Sequence, residues 1–204
     1  MTWEWATFAL AFTSIFVIEL PDKTFVATLV MSTRFRPALV WLGVSLAFLV
    51  QTAVAVTLGG VIARLPRTPV ELFAALMFLV GGVILLRGAR HADEEEAEAE
   101  EEFGAKAARE VKGWHIVTLC FGIIFVAEWG DLSQILTASL VVRTNEPVPV
   151  FVGAYAALVA VSGLGAVLGR ALLTRIPLVT IRRIGGAICL ILAAVTLAQV
   201  AGAF

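Results

Sequence analysis

The sequence predicts an all-α integral membrane protein with six transmembrane helices in two inverted-topology three-helix repeats. Of its 204 residues, 60% are hydrophobic and only 15% are charged, whereas a soluble domain usually carries about 25% charged residues. Six apolar runs approach the length of about 20 residues that a membrane-spanning helix needs. The second half of the chain also repeats features of the first half. These three observations together predict the fold class.

Six apolar runs alternate with short polar loops, several of them rich in arginine and proline. Their length is near the range of about 17–25 residues for a transmembrane helix, with edges uncertain by a few residues. The first run contains Glu4 instead of a basic start and is too long for a signal peptide, so we expect it to be retained. The runs are Trp5–Met31, Ala38–Ala63, Val70–Leu86, Trp114–Val142, Val148–Leu168 and Ile184–Phe204.

Lysine and arginine are distributed unevenly between the two sides of the predicted membrane protein. The loops after the first, third and fifth runs hold eleven of them, and the other side holds three. Short cytoplasmic loops retain positive charge. We therefore expect a protein of the inner (plasma) membrane with both termini outside and the segment 91–112 in the cytoplasm.

The segment 91–112 separates the two predicted repeats, which comprise residues 1–90 and 113–204. It holds nine of the 16 acidic residues of the chain, and before Val111 its one large apolar residue is Phe103. A segment of this composition cannot bury enough apolar surface to order itself. We expect a solvated acidic linker or a fraying helix.

The second half matches the first half when the chain is shifted by 109 residues. Trp5 then falls on Trp114, and the acidic residues of the first run fall on those of the fourth. Because each half has an odd number of spans, the second half must enter the membrane from the opposite side. Inverted repeats of this kind place substrate and ion sites near the middle of the bilayer, where discontinuous helices meet.

Four acidic residues, Glu19, Asp22, Glu128 and Asp131, lie inside the first and fourth runs. A charge at the centre of a bilayer costs about 2.5–3.5 kcal/mol even on lenient scales, and such residues mark ion or proton pathways. Each Glu precedes its Asp by three residues, which would place both on one helix face. Lys23 alone is close enough in sequence to act as a counter-ion, and one cation cannot neutralise four carboxylates.

The neighbours of these acids supply neutral oxygen ligands from Thr24, Ser133 and Gln134. Carboxylate, hydroxyl and amide oxygens suit the hard cations Ca²⁺, Mn²⁺ and Mg²⁺, and no sulfur or imidazole points to zinc or copper. Crowded carboxylates in little water also favour protons, so metal and protons would compete for one site. A site for which protons and metal compete, and which opens to one side of the membrane at a time, works as an antiporter. Lys23 either pairs with Glu19 in the empty site or extends toward the cytoplasmic interface.

Two segments resemble the paired E-x-G-D-[KR]-[ST] motifs of the Golgi-type Mn²⁺/Ca²⁺:H⁺ antiporter family, formerly uncharacterised protein family sixteen. They are Glu19-Leu20-Pro21-Asp22-Lys23-Thr24 and Glu128-Trp129-Gly130-Asp131-Leu132-Ser133-Gln134. The resemblance covers the whole chain. It implies that the acids of both motifs bind the cation with help from their hydroxyl and amide neighbours. It also implies similarity to bacterial manganese exporters. Pro21 replaces the glycine of the first motif, and Leu132 replaces the basic residue of the second.

These observations favour a secondary antiporter that exports Mn²⁺, with Ca²⁺ as the second candidate. No enzymatic chemistry and no cofactor are expected beyond the transported cation. A net charge of −1 gives no basis for nucleic-acid binding. An exporter of small amino acids or organic cations, a passive cation channel and a non-transporting membrane scaffold remain as alternatives. The sequence leaves a monomer and a homodimer both open.

Overall fold

A computed structural model describes residues 4–20, 22–64, 67–89, 92–107, 111–173 and 178–201. Within these ranges every regular element is a helix, which confirms the all-α prediction. The helices are α1 (Trp5–Glu19), α2 (Lys23–Arg34), α3 (Pro37–Ile62), α4 (Arg67–Gly88), α5 (Ala92–Lys106), α6 (His115–Ala127), α7 (Leu132–Thr144), α8 (Pro147–Leu173) and α9 (Leu178–Val200).

Two of these helices have the length and hydropathy of a membrane span, namely α3 and the part of α8 over Pro147–Val167. The pair α6 and α7 makes a third span if it is counted as one, although the two helices are bent by 72°. Helices α4 and α9 begin earlier than predicted, at Arg67 and Leu178. The residues 202–204 at the predicted end of the last run lie outside the described ranges.

The first and fourth apolar runs are each broken where their acidic residues lie. Asp22 and Asp131 both adopt extended backbone, with ψ of 160° and 165°, and stand as the N-cap residues of α2 and α7. Aspartate is favoured there because its short side chain can accept a hydrogen bond from the first turn. Gly130, at φ +80°, adopts the left-handed region that favours glycine. The expectation that each Glu and Asp share one continuous helix face is therefore wrong.

Helices α3 and α8 pack against each other, and each also packs against the first helix of the other half. A Cβ atom on Gly43 of α3 would lie 2.5 Å from the carbonyl oxygen of Val117 in α6. A Cβ atom on Gly153 of α8 would lie 2.6 Å from the carbonyl oxygen of Phe8 in α1. Residues at corresponding positions of the two halves thus make corresponding contacts.

Replacing Gly43 or Gly153 with alanine is expected to destabilise the protein. The added methyl group would overlap a backbone oxygen that cannot move alone, and overpacking of this kind costs about 1–3 kcal/mol. Gly60 in α3 is the matched control, since a Cβ there meets nothing within 4 Å and alanine favours helix. Thermal unfolding in detergent should show a lower midpoint for both variants and no loss for Gly60→Ala. Unchanged midpoints for all three would contradict this packing.

The acidic segment contains an ordered helix, α5, that packs against α2. Phe103 on its inner face is 1% exposed, and Ala99 and Ala107 are also buried. Lys106 pairs with Glu102 one turn earlier, and this hydrogen bond and charge hold the pKa of Glu102 below its ordinary value. The segment thus adopts the helical alternative of the prediction, and it buries more apolar surface than its composition suggests, because α5 packs against α2.

Candidate cation site

The two helix breaks bring acidic side chains from both halves into the interior. At the first break the backbone N–H of Asp22 donates to the carbonyl of Glu19 at 3.1 Å. At the second break the N–H of Asp131 donates to the carbonyl of Glu128, also at 3.1 Å. A corresponding backbone hydrogen bond therefore links the acidic pair in each half.

Three carboxylates meet between the halves. Oxygen atoms of Glu19, Glu128 and Asp131 all lie within 4.8 Å of one another. Glu19 and Glu128 are each 1% exposed. Distances of this order allow one cation to contact all three groups, and a cluster of buried carboxylates with no cation is strongly unfavourable unless protons neutralise it.

Several oxygen atoms of this cluster have no hydrogen-bond partner in the described part of the chain. They are Oε1 of Glu19 and both carboxylate oxygens of Glu128. The other oxygen of Glu19 accepts a hydrogen bond from Thr24 at 3.2 Å, and the Thr24 hydroxyl also lies 3.3 Å from Oδ2 of Asp22. Unpartnered buried polar atoms require an explanation, and a bound cation or protons would supply it.

The predicted site residues are brought together to different degrees. Asp22 is outside the three-carboxylate cluster, although it is close enough to interact electrostatically with Asp131 and Glu128. Ser133 is buried beside Glu19, and its backbone N–H donates to Asp131 at 3.4 Å. The cluster therefore consists of two acids of the second half and one of the first half.

Gln134 is engaged with the backbone of the second break. Its amide nitrogen donates to the carbonyl of Glu128 at 2.7 Å, and its amide oxygen accepts from the N–H of Gly130 at 3.3 Å. In this arrangement the side chain holds the turn that carries Glu128. The predicted role as a cation ligand stays a prediction.

Three further positions named from the sequence have different surroundings. Lys23 lies in the first turn of α2 and is exposed, with no ion pair to Glu19 among the residues that the structure describes. Leu132 stands where the family motif has a basic residue. Its Cδ1 atom would lie 2.8 Å from a Cβ atom added to Gly81 of α4. Pro21 lies outside the described residues.

Sequence reasoning missed Gln51, which lies in α3 beside the second break. It is 2% exposed, and its amide nitrogen donates to the carbonyl of Phe125 at 3.1 Å. An amide side chain inside an apolar run was the signal that could have found it, because a buried polar group needs a partner.

A hollow of about 300 Å³ lies beside the second motif, between α3 and α7. Its walls include Trp129, Gly130 and Gln134, and the other lining residues are mainly aliphatic. No carboxylate is among these lining residues. The hollow is therefore distinct in chemistry from the acidic cluster.

Apolar helices that enclose a cluster of carboxylates at two helix breaks are typical of integral membrane proteins that transport ions. The sequence model of the GDT1 family, described as divalent cation/proton antiporter, matches residues 7–93 and 116–203. The chain belongs to this family. The resemblance inferred from the two motifs is thereby confirmed, and the family consists of transporters, not enzymes.

Several relatives support the assignment. Protein PAM71, chloroplastic, of Arabidopsis thaliana is 34% identical over 95% of this chain and 57% of its own length. The GDT1-like protein sll0615 of Synechocystis is 34% identical over 63% of this chain and 66% of its own length. GDT1-like protein 3 of Oryza sativa subsp. indica is 30% identical over 86% of this chain and 68% of its own length. The chain thus spans less than two thirds of the length of the first two. No solved structure matches the chain.

Proposed function

We propose that this chain is a secondary antiporter that exports a divalent cation from the cytoplasm in exchange for protons. The observation that carries the proposal is the buried cluster of Glu19, Glu128 and Asp131, with carboxylate oxygens within 4.8 Å of one another. Such a cluster is stable only when its charge is neutralised, either by protons or by a dication. A site that either one can fill, but not both together, couples their movements.

We propose Mn²⁺ as the exported cation, with Ca²⁺ as the second candidate. The three carboxylates and the hydroxyl groups of Thr24 and Ser133 offer only oxygen, which favours hard cations. The family is described by divalent cations in general. Manganese export is what the resemblance to bacterial members implies.

We further propose that the chain crosses the membrane six times as two inverted repeats, 1–90 and 113–204. The equivalent contacts of Gly43 and Gly153 and the equal backbone bonds at the two breaks support this arrangement. The distribution of lysine and arginine supports termini outside and the segment 91–112 in the cytoplasm. Rocking of one half against the other would then expose the cluster to each side in turn.

The alternative functions, an exporter of organic cations and a passive channel, fit the site less well. An exporter of organic cations needs a roomy pocket with a carboxylate to meet the charge, but the 300 Å³ hollow has no carboxylate among its lining residues. A channel needs a path that conducts without a closed intermediate, whereas Glu19 and Glu128 are 1% exposed. Enclosed carboxylates favour a carrier.

Purified protein in sealed vesicles tests this function. An imposed pH gradient is expected to drive radioactive Mn²⁺ against its concentration gradient, and added Mn²⁺ is expected to move protons in the opposite direction. Lower pH on the cation-binding side should weaken the apparent affinity, because protons occupy the same oxygens. Downhill Mn²⁺ movement that ignores the pH gradient would instead indicate a channel, and no cation movement at all would refute transport.

A further inference from the structure

Two polar residues lie next to each other in the middle of α3, a helix whose mean hydropathy reaches 2.1. Gln51 and Thr52 are each 2% exposed. Burying an amide or a hydroxyl without a hydrogen bond costs about 1–3 kcal/mol in proteins. Neither residue is needed for helix formation, so their burial points to a task in the interior.

Gln51 binds a backbone carbonyl that the second helix break has freed. In the first half the carbonyl of Phe16 accepts a hydrogen bond from the N–H of Leu20 at 3.1 Å. The corresponding carbonyl in the second half is that of Phe125, but the N–H of Trp129 donates to Val126 instead. The amide nitrogen of Gln51 occupies the vacant acceptor at 3.1 Å.

Gln51 and Thr52 also border a small cavity of about 10 Å³. Ser133, Gln134 and Thr137 of α7 form the polar part of its opposite wall. A cavity of about this volume holds one water molecule or an ion of similar size. The backbone N–H of Ser133 donates to Asp131 of the carboxylate cluster at 3.4 Å, so the cavity adjoins that cluster.

One oxygen atom on the α3 side of this cavity has no hydrogen-bond partner in the described ranges, namely the buried hydroxyl oxygen of Thr52. The bond to Phe125 uses the amide nitrogen of Gln51, so the amide oxygen of Gln51 is the second neutral oxygen that this pair can offer. Both oxygens are neutral and could complete the coordination of a cation held by the three carboxylates.

The other half of the molecule lacks this pair. At the offset of 110 residues that relates Gly43 to Gly153, Gln51 corresponds to Val161 and Thr52 corresponds to Ser162. The hydroxyl of Ser162 donates to the carbonyl of Val159 in its own helix at 3.1 Å. The polar pair is therefore not a requirement of the repeated architecture.

We propose that Gln51 and Thr52 form the neutral side of the cation site and set its preference between divalent cations; this rests on the proposed function. Ca²⁺ takes six to eight oxygen ligands in proteins, whereas Mn²⁺ favours six in octahedral geometry. The three carboxylates and the hydroxyls of Thr24 and Ser133 offer about five oxygen ligands, and the oxygens of Gln51 and Thr52 would raise the number to about seven, which suits Ca²⁺ better than octahedral Mn²⁺. Gln51 also positions the break that carries Glu128.

The test measures the dissociation constants of Mn²⁺ and Ca²⁺ by calorimetry on the purified full chain, for wild type and five variants. Thr52→Val removes the hydroxyl at nearly constant shape, Thr52→Ser retains it, and Gln51→Leu removes the amide. The control Ser162→Ala removes the hydroxyl at the corresponding position, and Ser45→Ala removes a buried hydroxyl elsewhere in α3. Vesicle flux gives KM and kcat for the same proteins.

Thr52→Val is expected to weaken Ca²⁺ binding about fivefold, as for the loss of one hydrogen-bond-sized contact, and to leave Mn²⁺ binding within twofold. Thr52→Ser should restore the wild-type ratio of the two constants. Gln51→Leu should weaken Ca²⁺ binding about tenfold or more and lower kcat, because the freed carbonyl loses its donor. Both control variants should leave the ratio of the Mn²⁺ and Ca²⁺ dissociation constants unchanged. If Gln51→Leu fails to fold, the result for Thr52→Val alone tests the proposal.

Equal weakening of Mn²⁺ and Ca²⁺ by Thr52→Val, or no change in either, would overturn the proposal. A wild-type protein that binds both cations but exchanges neither for protons would refute antiport, and the ratio of binding constants would still judge Gln51 and Thr52. A wild-type protein that binds neither cation would overturn both proposals.

Discussion

Replacing Glu128 with glutamine is expected to abolish proton-coupled cation flux while the protein stays folded. Both carboxylate oxygens of Glu128 are buried and have no hydrogen-bond partner among the residues that the structure describes, and Glu128 lies in the cluster with Glu19 and Asp131. A bound dication would lose one of its three charged ligands, and truncating one partner of a buried charge pair costs about 2–5 kcal/mol of binding, so flux should fall by about 100-fold or more. Vesicle transport of Mn²⁺ at saturating pH gradient measures this loss.

Stability separates this loss of function from unfolding. Because glutamine relieves the burial of an unpartnered carboxylate, Glu128→Gln should unfold at the same temperature as wild type or higher when no cation is present. Added Mn²⁺ should raise the midpoint of wild type, by linkage to binding, but not that of the variant. Glu98→Gln, on the exposed side of α5, is the control and should behave as wild type. Retained flux in Glu128→Gln would refute the site.

Replacing Asp131 with asparagine is expected to have the second largest effect, a loss of flux of about 100-fold by the same loss of a buried charge. Asparagine caps helices as well as aspartate does, and Asp131 accepts a hydrogen bond from the backbone of Ser133. Asp131→Asn should therefore keep the fold. Asp131→Ala should lose flux and also about 1 kcal/mol of stability, because the cap is removed.

Asp22→Asn is the matched comparison, since Asp22 has the corresponding position in the first half. Its side chain is outside the three-carboxylate cluster. We expect a smaller loss of flux, about tenfold, consistent with electrostatic influence at longer range. Flux measured side by side for the two asparagine variants checks the difference. Equal losses would mean that the two halves contribute equally in the transport cycle.

The sequence was most informative where a residue type is costly in its surroundings. Carboxylates inside apolar runs marked Glu19, Asp22, Glu128 and Asp131 as a candidate site, and their spacing in two copies indicated the repeat. The same reasoning passed over Gln51, because one amide in a run of 26 residues resembles an ordinary polar side chain that faces a neighbouring helix. Only the contact with Phe125 distinguishes it.

Local rules failed where a partner from elsewhere in the chain decides the outcome. The acidic composition of α5 predicts a solvated segment, but the burial of Phe103 against α2 orders it. The three-residue spacing of each Glu and Asp predicts a shared helix face, but the backbone turns at both motifs. Helix periodicity cannot reveal a break whose stability depends on contacts such as those of Gln134.

The sequence by itself determined the helical class, the family and the acidic residues. Burying a charge in apolar surroundings is so costly that a single acidic residue inside an apolar run already indicates a function. The tertiary structure alone decided which carboxylates meet, that Asp22 stays outside their cluster, and that Gln51 and Thr52 lie beside it. These outcomes depend on the packing of α3 and α8 against the opposite halves through Gly43 and Gly153. Distances between segments a hundred residues apart follow from that packing and from no local pattern.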